Sequence, residues 1–593
     1  MTEYRAPIDD MRFVLSHVAG LDRLAAIERF AHADAATVAG LLGEAGRFAS
    51  EVIAPLNRIG DRVGSIRSDD GVVTTPPGYR DAYRRFVEAG WPAAAFPEEW
   101  GGGGLPWTVG LAIQEMVTSA DMAFSLCPML TYSANELLIS HGTDELHALF
   151  LEKMVAGQWS GTMALTEPQA GSDVGALTTR AVPAADGTYR VTGTKIFITW
   201  GEHDMADNIV HLVLARLPDA PAGTRGISTF VVPKFLPTPH GTLGDRNDVT
   251  CVSIEHKVGI HASPTCVLSF GEKGEGAVGY LVGEENRGLR SMFTMMNNAR
   301  LSVGLEGLAI AERSYQEAVA YARQRVQGHA VGDKEPGPSP IIRHADVRRD
   351  LMLMRSQIEA MRCVMYRNAG AIDLANHHPD DAVRAAESEL AGLLIPVSKA
   401  WGTDLGVELT SLGIQVHGGS GYVEEIGAAQ WWRDSRIAPI YEGTNGIQAE
   451  DLVARKLPQR EGAAIRDLIA SMRADASQAT GDLAVIQKHL AAAVDAVESA
   501  TDTLLALWPD RARDALAGST AYTRMLGTTV GGWLLARSAA AADNAEGFTQ
   551  SFITAKSATA MFYAEHVLST VPGMLATVTA GADTVFGVAE EEM

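Results

Sequence analysis

The periodicity of the chain changes twice along its length, and this constrains the fold more than any other feature. From about residue 36 to 155, apolar residues recur at helical spacing. Ala36 to Leu56 places Val38, Leu41, Leu42, Phe48, Val52 and Ile53 on one stripe and is expected to end at Pro55-Leu56. Ile113 to Leu130 and Ala134 to Val155 repeat the pattern. Between about 160 and 283 the texture alternates and is rich in β-branched and aromatic residues. Tyr189 to Thr199, Asn208 to Leu217, Gly226 to Phe235 and Val252 to Phe270 read as strands, separated by clusters such as Pro218 to Gly223. Long helical patterns return at Met292 to Gln327, Ile341 to Ala369 and Asp380 to Gly413, with a loop at Gly332 to Pro340. Beyond 460, Leu483, Ile486, Leu490, Val494, Val497, Leu504 and Leu505 fall on one helical stripe. Helical and β segments kept apart in this way predict a multidomain α + β protein and argue against a doubly wound sheet. The expected division is an N-terminal extension over 1–35, helices over 36–160, a β domain over 161–284, a helical bundle over 285–457 and a further helical domain over 458–593.

The length of 593 residues exceeds one compact core and suits three or four domains. A formal net charge of −23 repels phosphate backbones, so nucleic acid is not an expected partner. The four cysteines, Cys127, Cys251, Cys266 and Cys363, form no CxxC pair, which signals neither a metal site nor a redox pair and fits a reducing compartment. The start, Met1-Thr2-Glu3-Tyr4-Arg5, lacks a basic segment followed by an apolar core, and no apolar run reaches the roughly 20 residues that span a bilayer. A cytoplasmic location is therefore expected. The run Gly101 to Gly104 reads as a flexible surface loop.

No P-loop, HExxH, GxSxG or well-placed GxGxxG is present. Four other segments carry chemistry. Leu165-Thr166-Glu167-Pro168-Gln169-Ala170-Gly171-Ser172-Asp173 joins the helical and β blocks, and its small side chains, free N–H groups and hydroxyls suit a pyrophosphate or a plain polar turn equally. Lys195-Ile196-Phe197-Ile198-Thr199 ends a strand with an aromatic ring and a hydroxyl, which by themselves fit an ordinary core strand better than a cofactor wall. Gln415-Val416-His417-Gly418-Gly419-Ser420-Gly421 allows close backbone approach. Tyr441-Glu442-Gly443-Thr444-Asn445-Gly446-Ile447-Gln448 places Glu442 just before a helix with Thr444 as its N-cap. The apolar flank Ile437 to Ile440 would raise the affinity of Glu442 for a proton. By periodicity alone, Glu442 is one more acidic residue near a helix start.

Taken together and in this order, these segments resemble the acyl-CoA dehydrogenase family, whose motifs LTEPxAGSD, [WF]IT, QxxGGxG and YEGTxxIQ stand here at Leu165 to Asp173, Phe197 to Thr199, Gln415 to Gly421 and Tyr441 to Gln448. Tyr321 to Gln327 is similar to the family's YAxxRxQ helix, and the resemblance extends over about residues 36 to 455. It implies N-terminal helices, a middle β-barrel and a C-terminal four-helix bundle, with FAD held by the β domain and the bundle and completed by a neighbouring subunit. By position, Leu165, Thr166, Ser172, Phe197, Thr199, Thr444 and Gln448 would contact FAD. Arg325, Gln415, His417, Gly418 and Gly419 would reach the adenosine end of the neighbouring subunit's FAD. Ser172, Asn297, Arg300 and Gly443 would contact the acyl-CoA, although Asn297 stands where many relatives carry Asp. Of the family's two positions for the catalytic base, one is Glu442 and the other is Ala299, which cannot take a proton. The implied reaction has Glu442 remove the α proton while the β hydrogen leaves as hydride to flavin N5, with the Glu442 N–H and a ribityl hydroxyl stabilising the thioester oxygen.

The long ends resemble a bacterial branch that includes broad fatty acyl-CoA dehydrogenases and 3-(methylthio)propanoyl-CoA (3-methylmercaptopropionyl-CoA) dehydrogenases. Tyr4 to Leu15, Arg325 to Gly328 and His417 to Gly419 look most like the latter, which makes 3-(methylthio)propanoyl-CoA the narrower substrate expectation. Electron-transfer flavoprotein is the expected acceptor. A homodimer is expected, because the final helical domain would cover surface that smaller relatives bury in a tetramer. The rivals are an acyl-CoA oxidase, a nitroalkane-oxidising relative (which carries Asp at the base position) and a non-catalytic scaffold on the same fold.

Overall fold

The computed structural model describes residues 3–238, 241–476 and 483–593. Met1 and Thr2 of the start, and residues 477–482 of the final helical segment, lie outside the described residues. Two compact units emerge, and they do not follow chain order. The first comprises Met1–Gly46, Pro106–Glu115 and Arg300–Met593, and the second comprises Arg47–Leu105 and Met116–Ala299.

In the second unit, an eight-stranded sheet forms the β-barrel among the described residues. Along it run Val249–Ile254, Thr265–Phe270, Tyr189–Thr199, Ala277–Val282, Ile227–Pro233, Asn208–Arg216 and Trp159–Ala164, and Arg180–Pro183 sits beside Tyr189–Thr199 and Asn208–Arg216. The pairing is mostly antiparallel, but Trp159–Ala164 runs parallel to Asn208–Arg216, with Trp159 opposite Asn208. Val191, Ile198, Val213, Phe230, Leu268 and Phe270 fill the core. The single strand expected over Val252 to Phe270 is instead two antiparallel strands, Val249–Ile254 and Thr265–Phe270. Polar residues at 255–257 and the turn formers Gly259 and Pro264 break the alternation between them.

Two other expectations fail for local reasons. The helix expected to stop at Pro55 continues as Ala54–Val63 after a π-helical turn, Ala49–Ile53. Pro55 sits in the first turn of the new segment, where a missing N–H costs little. The four glycines are a packed turn: Gly103 N donates to Ala93 O at 2.9 Å and Gly104 N to Phe96 O at 2.8 Å. A Cβ on Gly102 would lie 2.1 Å from Phe96 O, so glycine is required there for close approach.

In the first unit three long helices form the bundle: α1 (Gly288–Gln324, in this unit from Arg300 onward), α2 (Ala345–His377) and α3 (Asp381–His417). Helices α1 and α3 cross on small residues. A Cβ on Gly307 would meet Gly402 O at 2.2 Å, and one on Gly304 would meet Ser398 O at 2.5 Å. The helices Ala463–Ala476, Ala484–Leu507, Ser519–Ala542, Gln550–His566 and Val571–Val578 follow. Ile486, Leu490, Val494, Val497 and Leu504 are buried, as the stripe predicts. These helices are joined to the bundle by a buried ion cluster. Lys556 Nζ donates to Asp10 at 2.7 Å and to Glu359 at 2.8 Å. Arg362 bonds Asp10, Glu115 and Glu312 at 2.5, 2.7 and 2.9 Å.

Candidate active site

The turn that carries Glu442 is shaped by its own backbone. Tyr441 N donates to Ile437 O at 3.3 Å, and Asn445 N to Pro439 O at 3.1 Å, which closes the chain over residues 439–445. Glu442 then adopts φ +56°, a left-handed conformation that a β-carbon disfavours, and Gly443 follows at φ +83°. A non-glycine residue held there costs about 1 kcal/mol or more and needs surrounding structure to enforce it. Thr444 caps the next helix, α4 (Asn445–Asp451), its Oγ1 accepting from Ile447 N at 3.3 Å, as the sequence predicts. Gln448 Nε2 donates back to Glu442 O at 3.3 Å.

The surroundings of Glu442 favour a neutral-range base. Burial raises its proton affinity, Arg300 and then Lys399 lower it, and the balance lies at about 7. Its side chain remains only partly covered. Arg300 is buried on α1 and lies 4.0 Å from Asp451, and a Cβ on Gly443 would come within 3.9 Å of its guanidinium. Glu442, Gly443, Thr444, Gln448 and Arg300 are therefore brought together in one unit.

Sequence reasoning passed over three neighbours. Glu306 on α1 is 1 % exposed and accepts a hydrogen bond from Tyr441 Oη. Burial pushes Glu306 up to about 8, against the hydroxyl, and the nearby Glu442 adds to the rise. Lys399 on α3 is fully buried and donates to Asn445 Oδ1 at 2.8 Å. Asn445 Nδ2 in turn donates to Asp404 Oδ1 at 2.7 Å, Thr403 Oγ1 at 3.0 Å and Ala400 O at 3.1 Å. The available signal was a single charge set among small and apolar residues at helical spacing: Ser302, Val303, Ala309 and Ile310 around Glu306, and Ile395, Pro396, Gly402 and Thr403 around Lys399.

A second group in the first unit gathers the QxxGGxG segment and the α1 terminus. The His417 ring packs on Tyr321 at 4.5 Å between centroids, and its Nδ1 bonds Gly413 O at 2.7 Å. Arg325 N donates to Tyr321 O at 2.8 Å, and the Arg325 side chain is exposed. Gln415, Gly418 and Gly419 are also exposed. Gly418 adopts φ +58°, and nothing lies within 4 Å of a Cβ on Gly418 or Gly419.

In the second unit, Leu165 and Thr166 are anchored to the strand Tyr189–Thr199. Ile196 N donates to Thr166 O at 2.9 Å, and Lys195 Nζ to Leu165 O at 2.9 Å. Lys195 also pairs with Glu167 at 2.8 Å, both buried. Burial alone would raise Glu167, but Lys195, Thr179 and the Thr178 N–H hold it at about 2. Phe197 adopts φ +60° where the pairing of its strand with Thr265–Phe270 shifts register between Lys195 and Ile198, and the residue is 58 % exposed. Thr199 lies opposite Thr265 and is half-buried. Ser172 sits exposed in the following loop, and Asn297 is half-buried on α1.

Taken separately, each unit carries features that suit part of a flat aromatic cofactor. The exposed Phe197 ring in the second unit offers an apolar plane for a flat ring system to pack against. Gln448 Oε1 is buried with no hydrogen-bond partner among the described residues, an arrangement that calls for an external donor. The open glycines at 418 and 419 permit close approach of a phosphate or ribose.

Comparisons with known proteins match four stretches of the chain. Residues 40–158, 162–272 and 286–457 match the models of the acyl-CoA dehydrogenase N-terminal, middle and C-terminal domains, and residues 463–589 match an acetyl-CoA dehydrogenase C-terminal-like domain. A 3-methylmercaptopropionyl-CoA dehydrogenase of Ruegeria pomeroyi is 46% identical over 95% of this chain and 96% of its own. The broad-specificity linear acyl-CoA dehydrogenase FadE5 of Mycobacterium tuberculosis is 34% identical over 96% of each chain. An acyl-CoA dehydrogenase from Bacillus anthracis, complexed with FAD, superposes with a TM-score of 0.74 over 95% of this chain and 91% of its own, at 19% identity.

Proposed function

The chain belongs to the acyl-CoA dehydrogenase family, and on that footing we propose that it oxidises the α,β bond of an acyl-CoA to the trans-2-enoyl-CoA with bound FAD, Glu442 serving as base. The observation that carries this reading is Glu442 itself. It is a partly covered carboxylate on a strained turn, poised at about 7 beside Arg300. Such a group is ionised often enough at neutral pH to accept the α proton and basic enough to keep it.

Leu165, Thr166, Ser172, Phe197, Thr199, Thr444 and Gln448 would hold FAD. The QxxGGxG turn and Arg325 would serve the adenosine end of a second subunit's FAD. When bound, FAD supplies the acceptor for the β hydride. The residues of this chain do the rest. Arg300, Ser172, Asn297 and Gly443 orient the acyl-CoA, and the Glu442 N–H donates to the thioester oxygen as negative charge gathers there. Entry of an acyl chain removes water from around Glu442, which raises its proton affinity further.

For the acyl group we favour 3-(methylthio)propanoyl-CoA, on the identity to the Ruegeria pomeroyi enzyme across nearly the whole chain. Electron-transfer flavoprotein as acceptor, a homodimer, and a reducing cytoplasmic location for the four free, buried cysteines complete the reading. Among the described residues, no helix is long and apolar enough to cross a membrane. The test is anaerobic bleaching of the yellow holoenzyme by a panel of acyl-CoAs. The 3-(methylthio)propanoyl thioester should reduce the flavin fastest at limiting concentration, and a tenfold preference for butyryl-CoA would overturn that substrate assignment. In air, oxygen uptake matching enoyl-CoA formation would replace the flavoprotein acceptor by oxygen and make the enzyme an oxidase.

A further inference from the structure

We propose that Lys399 is a positioning residue for Glu442: through Asn445 it anchors the turn that carries the base, and its buried charge favours the ionised carboxylate. The inference rests on the reading of Glu442 as the base, and it adds a residue outside the family motifs.

The geometry is that of a turn gripped from two helices. On one side Tyr441, immediately before Glu442, bonds Glu306 of α1. On the other, Asn445, three residues after Glu442, takes the Lys399 ammonium on Oδ1 and spends Nδ2 on Asp404, Thr403 and Ala400 of α3. The two helices cannot separate or slide without cost, because Gly304 and Gly307 meet Ser398 and Gly402 backbone to backbone. The left-handed conformation of Glu442 is thus imposed by its neighbours at −1 and +3.

Charge distinguishes Lys399 from a plain clamp. A neutral donor would bond Asn445 as well, and a fully buried ammonium is expensive unless its field is used. The charged and titratable groups around Glu442 in this unit are Arg300 and Glu306 from α1, Lys399 and Asp404 from α3, Tyr441 on its own turn, Asp451 at the end of α4 and Arg455 one turn beyond it. Arg300 is shared with Asp451, whereas Lys399 is bound to a neutral amide. Burial lowers Lys399 to about 8, so it is mostly charged at the Glu442 midpoint of about 7 and below it. Glu306, raised to about 8, is a neutral acid over most of that range.

The experiment compares holoenzymes of wild type, Lys399→Gln, Lys399→Met, Glu306→Gln and Glu442→Gln. It follows the pH dependence of flavin reduction in single turnover, together with infrared titration of the carboxyl band that Glu442→Gln removes. Lys399→Gln keeps a donor for Asn445 and loses the charge. Its acid limb and its carboxyl band should both move up by about one pH unit, the low end of what an opposite charge contributes. That shift slows reduction about eightfold at pH 6.5 and less than about twofold at pH 9. Lys399→Met should show the same shift with a further loss at every pH, and it gives an independent reading if the Gln variant does not hold flavin. Glu306→Gln, a mimic of the neutral acid, should leave the limb in place whatever its effect on the rate.

An unmoved limb in both Lys399 variants, an equal slowing at all pH, or the same shift in Glu306→Gln would overturn the assignment. If Glu442→Gln still reduces flavin normally, the reading of Glu442 as base fails instead, so the two failures are told apart.

Discussion

Replacement of Lys195 by Met tests whether the Leu165–Thr166 segment is held by a buried ion pair. Among the described residues, Lys195 is the cation that pairs with Glu167, and it also donates to Leu165 O. After the change Glu167 keeps neutral donors: Gln169 Nε2 at 2.7 Å, the N–H and hydroxyl of Thr178 at 2.7 and 2.8 Å, and those of Thr179 at 3.0 and 2.6 Å. Removing one partner of a buried pair costs about 3–5 kcal/mol, and these donors place the cost near the lower end, about 3 kcal/mol. The second unit has roughly 240 residues and an unfolding entropy of about 0.5 kcal/mol/K, so its Tm should fall by about 6 °C if it melts as one body.

The pair also sets an acid limit. The folded-state value of Glu167, about 2, lies below its ordinary 4.5, so its contribution is full above pH 4.5 and is lost as pH falls towards 2. In Lys195→Met that acid dependence should flatten. The double variant Lys195→Met/Glu167→Gln should recover part of the loss, because no charge is then left buried alone. Calorimetry of the holoenzyme and the flavin-to-protein absorbance ratio are the assays, and the ratio should drop as the Leu165 carbonyl loses its anchor. A Tm within 1 °C of wild type with full flavin content would refute the reasoning.

Three further outcomes are expected. Flavin reduction in the wild type should fall about tenfold for each pH unit below 7, and a rate flat down to pH 5 would contradict a base at about 7. Gly307→Ala, whose Cβ meets a carbonyl 2.2 Å away, should cost about 1–3 kcal/mol in denaturant unfolding and slow reduction by displacing α1 against α3. Lys556→Met should destabilise the first unit by about 3 kcal/mol in calorimetry, since Asp10 and Glu359 each keep one cation, Arg362 and Arg355.

The gross architecture was legible because period and composition change together: the alternation of Tyr189–Thr199 and the stripe from Ile486 to Leu504 reflect how each element is buried. The candidate base was legible only through a motif, since nothing in the periodicity sets Glu442 apart from a solvated acid. What escaped was decided by tertiary contact. Pro55 is tolerated because it falls in the first turn of the segment that follows a π-turn, and Gly101–Gly104 is fixed by carbonyls of residues 93–98. Glu306 and Lys399 sit on stretches of α1 and α3 that are covered all round, so charges that would ordinarily mark a solvated side are turned inward. The partition into units was equally hidden: Met1–Gly46 packs with helices more than 300 residues away, and Asp10 reaches both Arg362 and Lys556.

The central claim is that the carboxylate of Glu442 takes the α proton. Rapid-mixing absorbance of Glu442→Gln holoenzyme with 3-(methylthio)propanoyl-CoA under anaerobic conditions tests it most directly. Flavin should remain bound and oxidised, with reduction slowed by about four orders of magnitude or more. Bleaching at a rate within tenfold of wild type would remove Glu442 from that role.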